Sequence, residues 1–271
     1  MNHRETSRVA LQARLEEALA GRVPAVVATL VKGEPLGAKL LLLPDEVQGT
    51  LGNAVLDATV EPEARALLAA EKSETRSYQL PGREEAVEVF IESYPPPPTL
   101  LIFGAVHVAQ PLSHFAKALG FDVIISDARA KLATRERFPD ADRIIRGWPD
   151  ETLEQVEILP NTFVAILSHD PKFDEPALVG TLNTPAAYIG AIGSRKTNED
   201  RRRRLAEAGM SPEQVARMRA PIGLDIGAAT PEEMAISILG EIIALRRGRS
   251  GGSLTNATGS IRGERQPAPG A

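Results

Sequence analysis

Apolar positions along this chain follow two regimes that meet at a run of prolines. The first residues, MNHRETSRVALQARLEEALAG, interleave charges with apolar side chains at helical spacing, which predicts a helix closed by Gly21. PAVVATLV, AKLLLL and VQGTL come next; each is short, apolar and bounded by Gly, Pro or Asp, and each reads as a strand. Helical periodicity then runs from about Val60 to Lys72, and SYQL and AVEVFIESY read as two further strands. Residues 1–94 are therefore expected to form a small α+β domain. Pro95 to Pro98 cannot donate to a sheet ladder and favour a stiff, extended backbone, so 95–98 reads as the linker.

From Thr99 strand and helix alternate: TLLIF, a helix reaching Gly120, DVIIS, a helix near Lys131, TFVAIL, a helix near Pro176, and AAYIGAI. Near-continuous apolar strands separated by helices are the signature of a parallel sheet covered on both faces. The fold class expected for 99–248 is thus α/β, a Rossmann-like parallel sheet domain preceded by the smaller α+β domain. Two of the last helices announce their starts. Ser211-Pro212-Glu213-Gln214 and Thr230-Pro231-Glu232-Glu233 each supply an N-cap hydroxyl, a proline at the first helical position and a capping-box partner at the third. The final helix should end near Gly248, and the Gly-, Ser- and Pro-rich tail, 249–271, lacks apolar periodicity and is expected to be disordered.

Composition changes this picture in three places. A net charge of −5 argues against a protein that coats nucleic acid by neutralising phosphates. No apolar run approaches the roughly 18 residues of a membrane span, and the N-terminus lacks the apolar core of a signal peptide, so no membrane association and a cytoplasmic location are expected. The absence of cysteine excludes disulfides, thiolate metal sites and a cysteine nucleophile.

Candidate chemistry clusters where strands end. TLLIF runs into Gly104-Ala105-Val106-His107-Val108-Ala109 and then a helix, the context of a dinucleotide fingerprint. Gly104 and Ala109 suit its first and third positions. Val106 occupies the second, where glycine normally lets the backbone approach a pyrophosphate. Asp127 closes the next strand, placed to accept hydrogen bonds from a ribose or another hydroxyl-bearing group. His107 lies in the loop as a ligand donor, whereas His114, inside the helix, reads as structural. Ser168-His169-Asp170, with Asp174 shortly after, puts polar side chains at the carboxyl edge, either as ligand contacts or as helix caps. Gly190-Ala191-Ile192-Gly193-Ser194-Arg195-Lys196 is a glycine-rich turn with a hydroxyl and two cations before a helix, which suits an anion. The run Arg201 to Arg204 fans around a helix and reads mostly as solvated surface.

LLIFGAVHVAQPL, YIGAIGSRKTNEDRRRRL and PIGLDIGAATPEEMAISILGEIIALRRG closely resemble the XdhC/CoxI family, over most of residues 22–248. Gly37-Ala38-Lys39 and Gly49-Thr50-Leu51-Gly52 resemble its N-terminal module. The resemblance implies a maturation factor for molybdenum hydroxylases such as xanthine dehydrogenase and carbon monoxide dehydrogenase. Such a protein would bind the molybdenum cofactor (molybdopterin), stabilise its sulfurated form with a cysteine desulfurase as sulfur source, and deliver it to the hydroxylase apoenzyme. It would act as a chaperone, with no catalytic residue and no metal ligand of its own. Cofactor contacts are then expected from Gly104, Ala105, Val106, His107 and Asp127, from Ser168, His169 and Asp170, and from Gly193, Ser194 and Arg195. This chain departs from the family at Val106, where glycine is usual, and at Asn53-Ala54, which replace a glycine-rich pair. Two rivals remain open, an NAD(P)-dependent oxidoreductase and a purely structural partner of a hydroxylase; so does a homodimer.

Overall fold

Proline cannot join a sheet ladder, and the run Pro95 to Pro98 separates two sheets of different kind. Residues 3–82 and 85–257 are described in the computed structural model, and they divide into two units between Pro96 and Pro97.

The first unit begins with α1 (His3–Ala20), followed by β1 (Ala25–Lys32), β2 (Lys39–Leu42), β3 (Val47–Thr50), α2 (Ala54–Ala69), β4 (Glu74–Tyr78) and β5 (Val87–Tyr94). Its sheet is antiparallel throughout, in the order β3-β2-β1-β5-β4. Because side chains alternate across a strand, Val26, Ala28 and Leu30 pack with α2 through Leu56, Val60 and Leu67, while Ala25 and Val27 pack with Leu11 and Leu15 of α1. Helix α1 ends directly before Gly21, as read, whereas α2 does not start where expected. The left-handed residue that closes α1 is Arg22, at φ 58°, while Gly21 still donates to Glu17 within the last turn. The second helix starts near Asn53 instead of Val60. A start at Val60 would keep Pro62 in the first turn, where proline is tolerated; instead the Asn53 side chain caps α2 and Pro62 lies inside it.

The second unit runs β6 (Thr99–Phe103), α3 (Ala109–Ala118), β7 (Asp122–Ser126), β8 (Arg143–Ile145), α4 (Pro149–Leu153), β9 (Thr162–Ile166), α5 (Pro171–Leu182), β10 (Tyr188–Ala191), α6 (Arg195–Glu207), α7 (Pro212–Ala216), β11 (Met218–Arg219) and α8 (Pro231–Arg246). Its six strands are all parallel, in the order β11-β10-β9-β6-β7-β8. Leu100 and Ile102 face α3 and α8, while Leu101 and Phe103 face α5 and α6, so both faces of β6 are covered. From β6 the chain steps one way to β7 and β8, then returns to β9 on the other side. The strand order therefore reverses between β6 and β9, and that is where open α/β sheets bind ligands.

No helix forms near Lys131. Residues 129–141 turn irregularly, held by Arg137 donating to the Leu132 carbonyl at 2.9 Å and Arg146 to that of Ala133 at 3.0 Å. Strands β8 and β11, of three and two residues, are too short to show a period. Both capping boxes form as read, at Ser211 and Thr230. In the tail, 249–257 hold one 3-10 turn, Leu254–Asn256, and the rest of the segment expected to be disordered, 258–271, lies outside the described residues. Among the described residues no helix is long and apolar enough to cross a membrane.

Asn53 Oδ1 accepts from the amides of Val55 and Leu56, at 2.9 and 3.1 Å. Replacing it (Asn53→Ala) should destabilise the chain by about 1 kcal/mol in urea unfolding, with an unchanged denaturant dependence.

Candidate functional site

The loop after β6 is shaped by a glycine that two constraints demand. Gly104 adopts φ 102°, and a Cβ there would stand 2.9 Å from the Ser168 amide nitrogen, where the chain leaves β9. Its own amide donates to the Ser126 carbonyl at 2.8 Å. The next residue is held from both sides: the Ala105 amide donates to Asp127 Oδ2 at 2.7 Å, and its carbonyl accepts from Arg137 Nη1 at 2.8 Å. Val106 is half-buried and packs on the core. His107 is exposed, and Val108, the residue before α3, makes no side-chain cap. Among the described residues, the amides of Val106, His107 and Val108 have no acceptor. A fixed loop thus presents free donors at the positive end of a helix dipole, an arrangement that receives anions.

Asp127 is in the expected place but differently employed. Its side chain is 3% exposed and its oxygens accept four bonds: Oδ1 from the amide and Nε of Arg129 at 2.8 and 2.9 Å, Oδ2 from the Ala105 amide and Arg129 Nη2, both at 2.7 Å. Burial opposes ionisation. The Arg129 side chain and the two amides outweigh it and hold the carboxyl below its ordinary range. With its acceptors engaged inside the chain, Asp127 positions the glycine loop and Arg129, and a ribose hydroxyl would find no free partner on it. Arg129, whose side chain is 56% exposed, is the group left at the surface.

Beyond β9, the Ser168 hydroxyl accepts from the Asp170 amide at 3.1 Å, and Asp170 caps α5 through the Lys172 amide at 3.0 Å. His169 is exposed between them. Beyond β10, Gly193 has φ 133° and Ser194 caps α6, accepting from the Thr197 amide at 3.1 Å while its hydroxyl meets that of Thr197 at 2.9 Å. Arg195 opens α6 and is exposed. The sequence candidates thus divide: Ser168, Asp170, Asp127 and Ser194 serve local structure, while His107, His169 and Arg195 are left exposed at the carboxyl edge.

A buried pair beneath the Gly193 turn escaped the sequence reading. Arg201, expected to be solvated with its neighbours, is 3% exposed. Its guanidinium donates to Asp174 Oδ2 at 2.7 Å, to the Ile192 carbonyl at 2.9 Å and to Asn198 Oδ1, while Asn198 Nδ2 donates to the Gly193 carbonyl at 3.1 Å. These contacts tie the turn to the helices below it. Of the other three, Arg204 pairs with Glu175, Arg202 donates to the Ala220 carbonyl, and Arg203 is exposed beside Asp200. Burial pushes the Asp174 carboxyl up to about 6, against the pull of Arg201, Ser168 and His169. Among the described residues no group of three or more His, Cys, Asp and Glu side chains could hold a metal ion.

A family profile described as the XdhC Rossmann domain matches residues 100–242, and one described as the XdhC and CoxI family matches 18–79. The chain is 32% identical over 168 residues to a probable xanthine dehydrogenase subunit of Bacillus subtilis, covering 62% of this chain and 49% of that one. It is 26% identical over 186 residues to the molybdenum cofactor insertion chaperone PaoD of Escherichia coli, covering 69% and 50%. An uncharacterised E. coli protein, YqeB, is 34% identical over 168 residues, covering 62% of this chain and 31% of its own. The matched region thus spans between about a third and a half of these curated relatives. Among solved structures, a xanthine dehydrogenase from Bacillus halodurans superposes with a TM-score of 0.53 at 25% identity, covering 86% of this chain and 93% of that one.

Gly104→Ala should cost roughly 1–3 kcal/mol in unfolding free energy, from the left-handed backbone together with the crowded Ser168 amide. The Asp174 carboxyl gives a pH signature. Its folded pKa, about 6, lies above its ordinary value of 3.8, so the native state binds the extra proton between them and loses that stabilisation as pH rises. The stability of the wild type relative to Asp174→Asn should therefore fall from pH 4 to pH 6 and level off above, as read by urea unfolding at each pH.

Proposed function

The chain belongs to the XdhC and CoxI family, and from that premise we propose that it is a maturation factor for molybdenum hydroxylases. In this reading it binds the molybdenum cofactor at the carboxyl edge of the parallel sheet. It holds the sulfurated form and passes it to an apoenzyme of the xanthine dehydrogenase or carbon monoxide dehydrogenase type, with a cysteine desulfurase as sulfur source. The observation that carries the reading is the set of free amides at Val106, His107 and Val108, with Arg129, exposed and paired to Asp127, at the end of the adjacent β7 and exposed Arg195 beyond β10, two strands away on the same edge. The cofactor is a pterin with a terminal phosphate, and donors fixed at a helix start, with an exposed arginine further along the same sheet edge, suit that phosphate. The residues present fit the group through its anionic end. Because the chain has no cysteine, sulfur cannot rest on it as a persulfide, and the transfer would pass from the desulfurase to the bound cofactor directly.

A nicotinamide dinucleotide is less well served. Val106, packed on the core, brings a β-branched side chain to the position where a pyrophosphate needs glycine, and the Asp127 carboxylate is engaged by Ala105 and Arg129.

Titration of isolated molybdenum cofactor into the protein should show saturable binding at micromolar concentration. Arg195→Ala should weaken it about tenfold or more, the worth of one charge-assisted bond. The pair Arg202→Ala and Arg203→Ala should cost less, because both lie further along α6. Absence of saturable binding by folded protein would sink the reading, and tight binding of NAD or NADP by the unmodified chain would favour the oxidoreductase.

A further inference from the structure

The outer edge of the parallel sheet carries a concavity that shares no lining residue with the loops at Gly104, Asp127, Ser168 and Gly193. It has a volume of about 490 Å³ and lies beside β11, the edge strand, with Leu245, Ala216 and Pro221 as its accessible apolar lining. Three arginines line it, Arg202, Arg217 and Arg219, against a single carboxylate, Glu241. That carboxylate is already engaged: Oε2 accepts from the Tyr188 hydroxyl at 2.5 Å and from the Gly223 amide at 2.8 Å. Arg219 stands 3.6 Å from Oε1, a loose pair, with its side chain 45% exposed.

The other two arginines are held by carbonyls. Arg217 donates to Leu182, Thr184 and Ala186 at 2.5, 2.7 and 2.8 Å, and Arg202 donates to Ala220 at 2.9 Å. Carbonyl bonds fix a guanidinium plane but neutralise no charge, and neither residue has a carboxylate partner among the described residues. One cavity therefore holds an uncompensated excess of positive charge, on side chains whose positions are partly set in advance. Its volume is that of a small-molecule site, roughly 300–1,000 Å³. Arginines beside an apolar wall recognise planar or tetrahedral anions that also carry an organic body.

We propose that this edge cavity binds a small organic anion bearing at least two negative charges. Its phosphate or carboxylate groups meet Arg202 and Arg219, and its apolar part lies against Leu245, Ala216 and Pro221. Arg217 serves as framework, because its bonds hold the Leu182–Ala186 turn. The site is separate from the crevice at the strand ends and does not rest on the cofactor reading.

Pyrophosphate is a suitable first probe, titrated calorimetrically into the full chain. Saturable binding is expected, and the double variant Arg202→Gln with Arg219→Gln should lower affinity at least about tenfold, while Arg203→Gln, at an exposed position beside Asp200, leaves it unchanged. Thermal melting checks folding. Should the double variant fail to fold, Arg219→Gln alone carries the same test, since Arg219 supplies none of the bonds that hold backbone carbonyls around the cavity. The proposal is overturned if pyrophosphate does not bind at roughly 10 mM, if the edge variants bind it as the wild type does, or if only Arg195→Gln loses it, which would put the anion on the Gly193 turn.

Discussion

One buried carboxylate sets the geometry on which the strand-end crevice depends. Asp127 joins the end of β7 to the loop that leaves β6, because the same oxygen accepts from the Ala105 amide and from Arg129. An ionised group this deeply buried is stable only when its acceptor sites are filled, and here the chain fills all of them with its own donors. Gly104 can then sit against the Ser168 backbone, and α3 starts where the strand order reverses.

A less complete version holds the far side of the crevice, where Asp174 Oδ1 is buried without a hydrogen-bond partner among the described residues. Arg201 and Asp174 pair out of water, and through Ile192 and Asn198 they hold the turn at Gly193. In both places an arginine and an aspartate spend their charge on each other and on backbone groups. Removing one member would strand the other in a medium that solvates it poorly, so these pairs secure loop positions more than they add net stability. The groups left for a ligand are those that such pairing does not use: amides at a helix start and the exposed Arg195.

Much of this was legible in the chain, for identifiable reasons. TLLIF, DVIIS and TFVAI are apolar without interruption because both faces of the central strands are covered, and the corresponding strands appear at those residues. Capping boxes are local, so Ser211 and Thr230 could be read from four letters each. Strands β8 and β11 could not, since their few residues become strand only by pairing with neighbours distant in the chain. The site was legible in position and less so in role. Asp127 and Arg129 are two residues apart, a spacing that could have signalled a self-satisfied carboxylate. Nothing near Arg201 in the sequence marks a partner 27 residues earlier, and four consecutive arginines look alike until the core selects one.

The hold of Arg137 on the Ala105 carbonyl has a consequence for the adjoining peptide plane. A trans peptide is flat, and its carbonyl and the following N–H lie on opposite sides of the bond. Anchoring the oxygen of Ala105 on a guanidinium therefore aims the Val106 hydrogen away from Arg137. Rotating that plane to meet an incoming oxygen would break the anchor. The direction from which an anion can be received is in this way written before it arrives, and little orientational entropy is left to lose when it does.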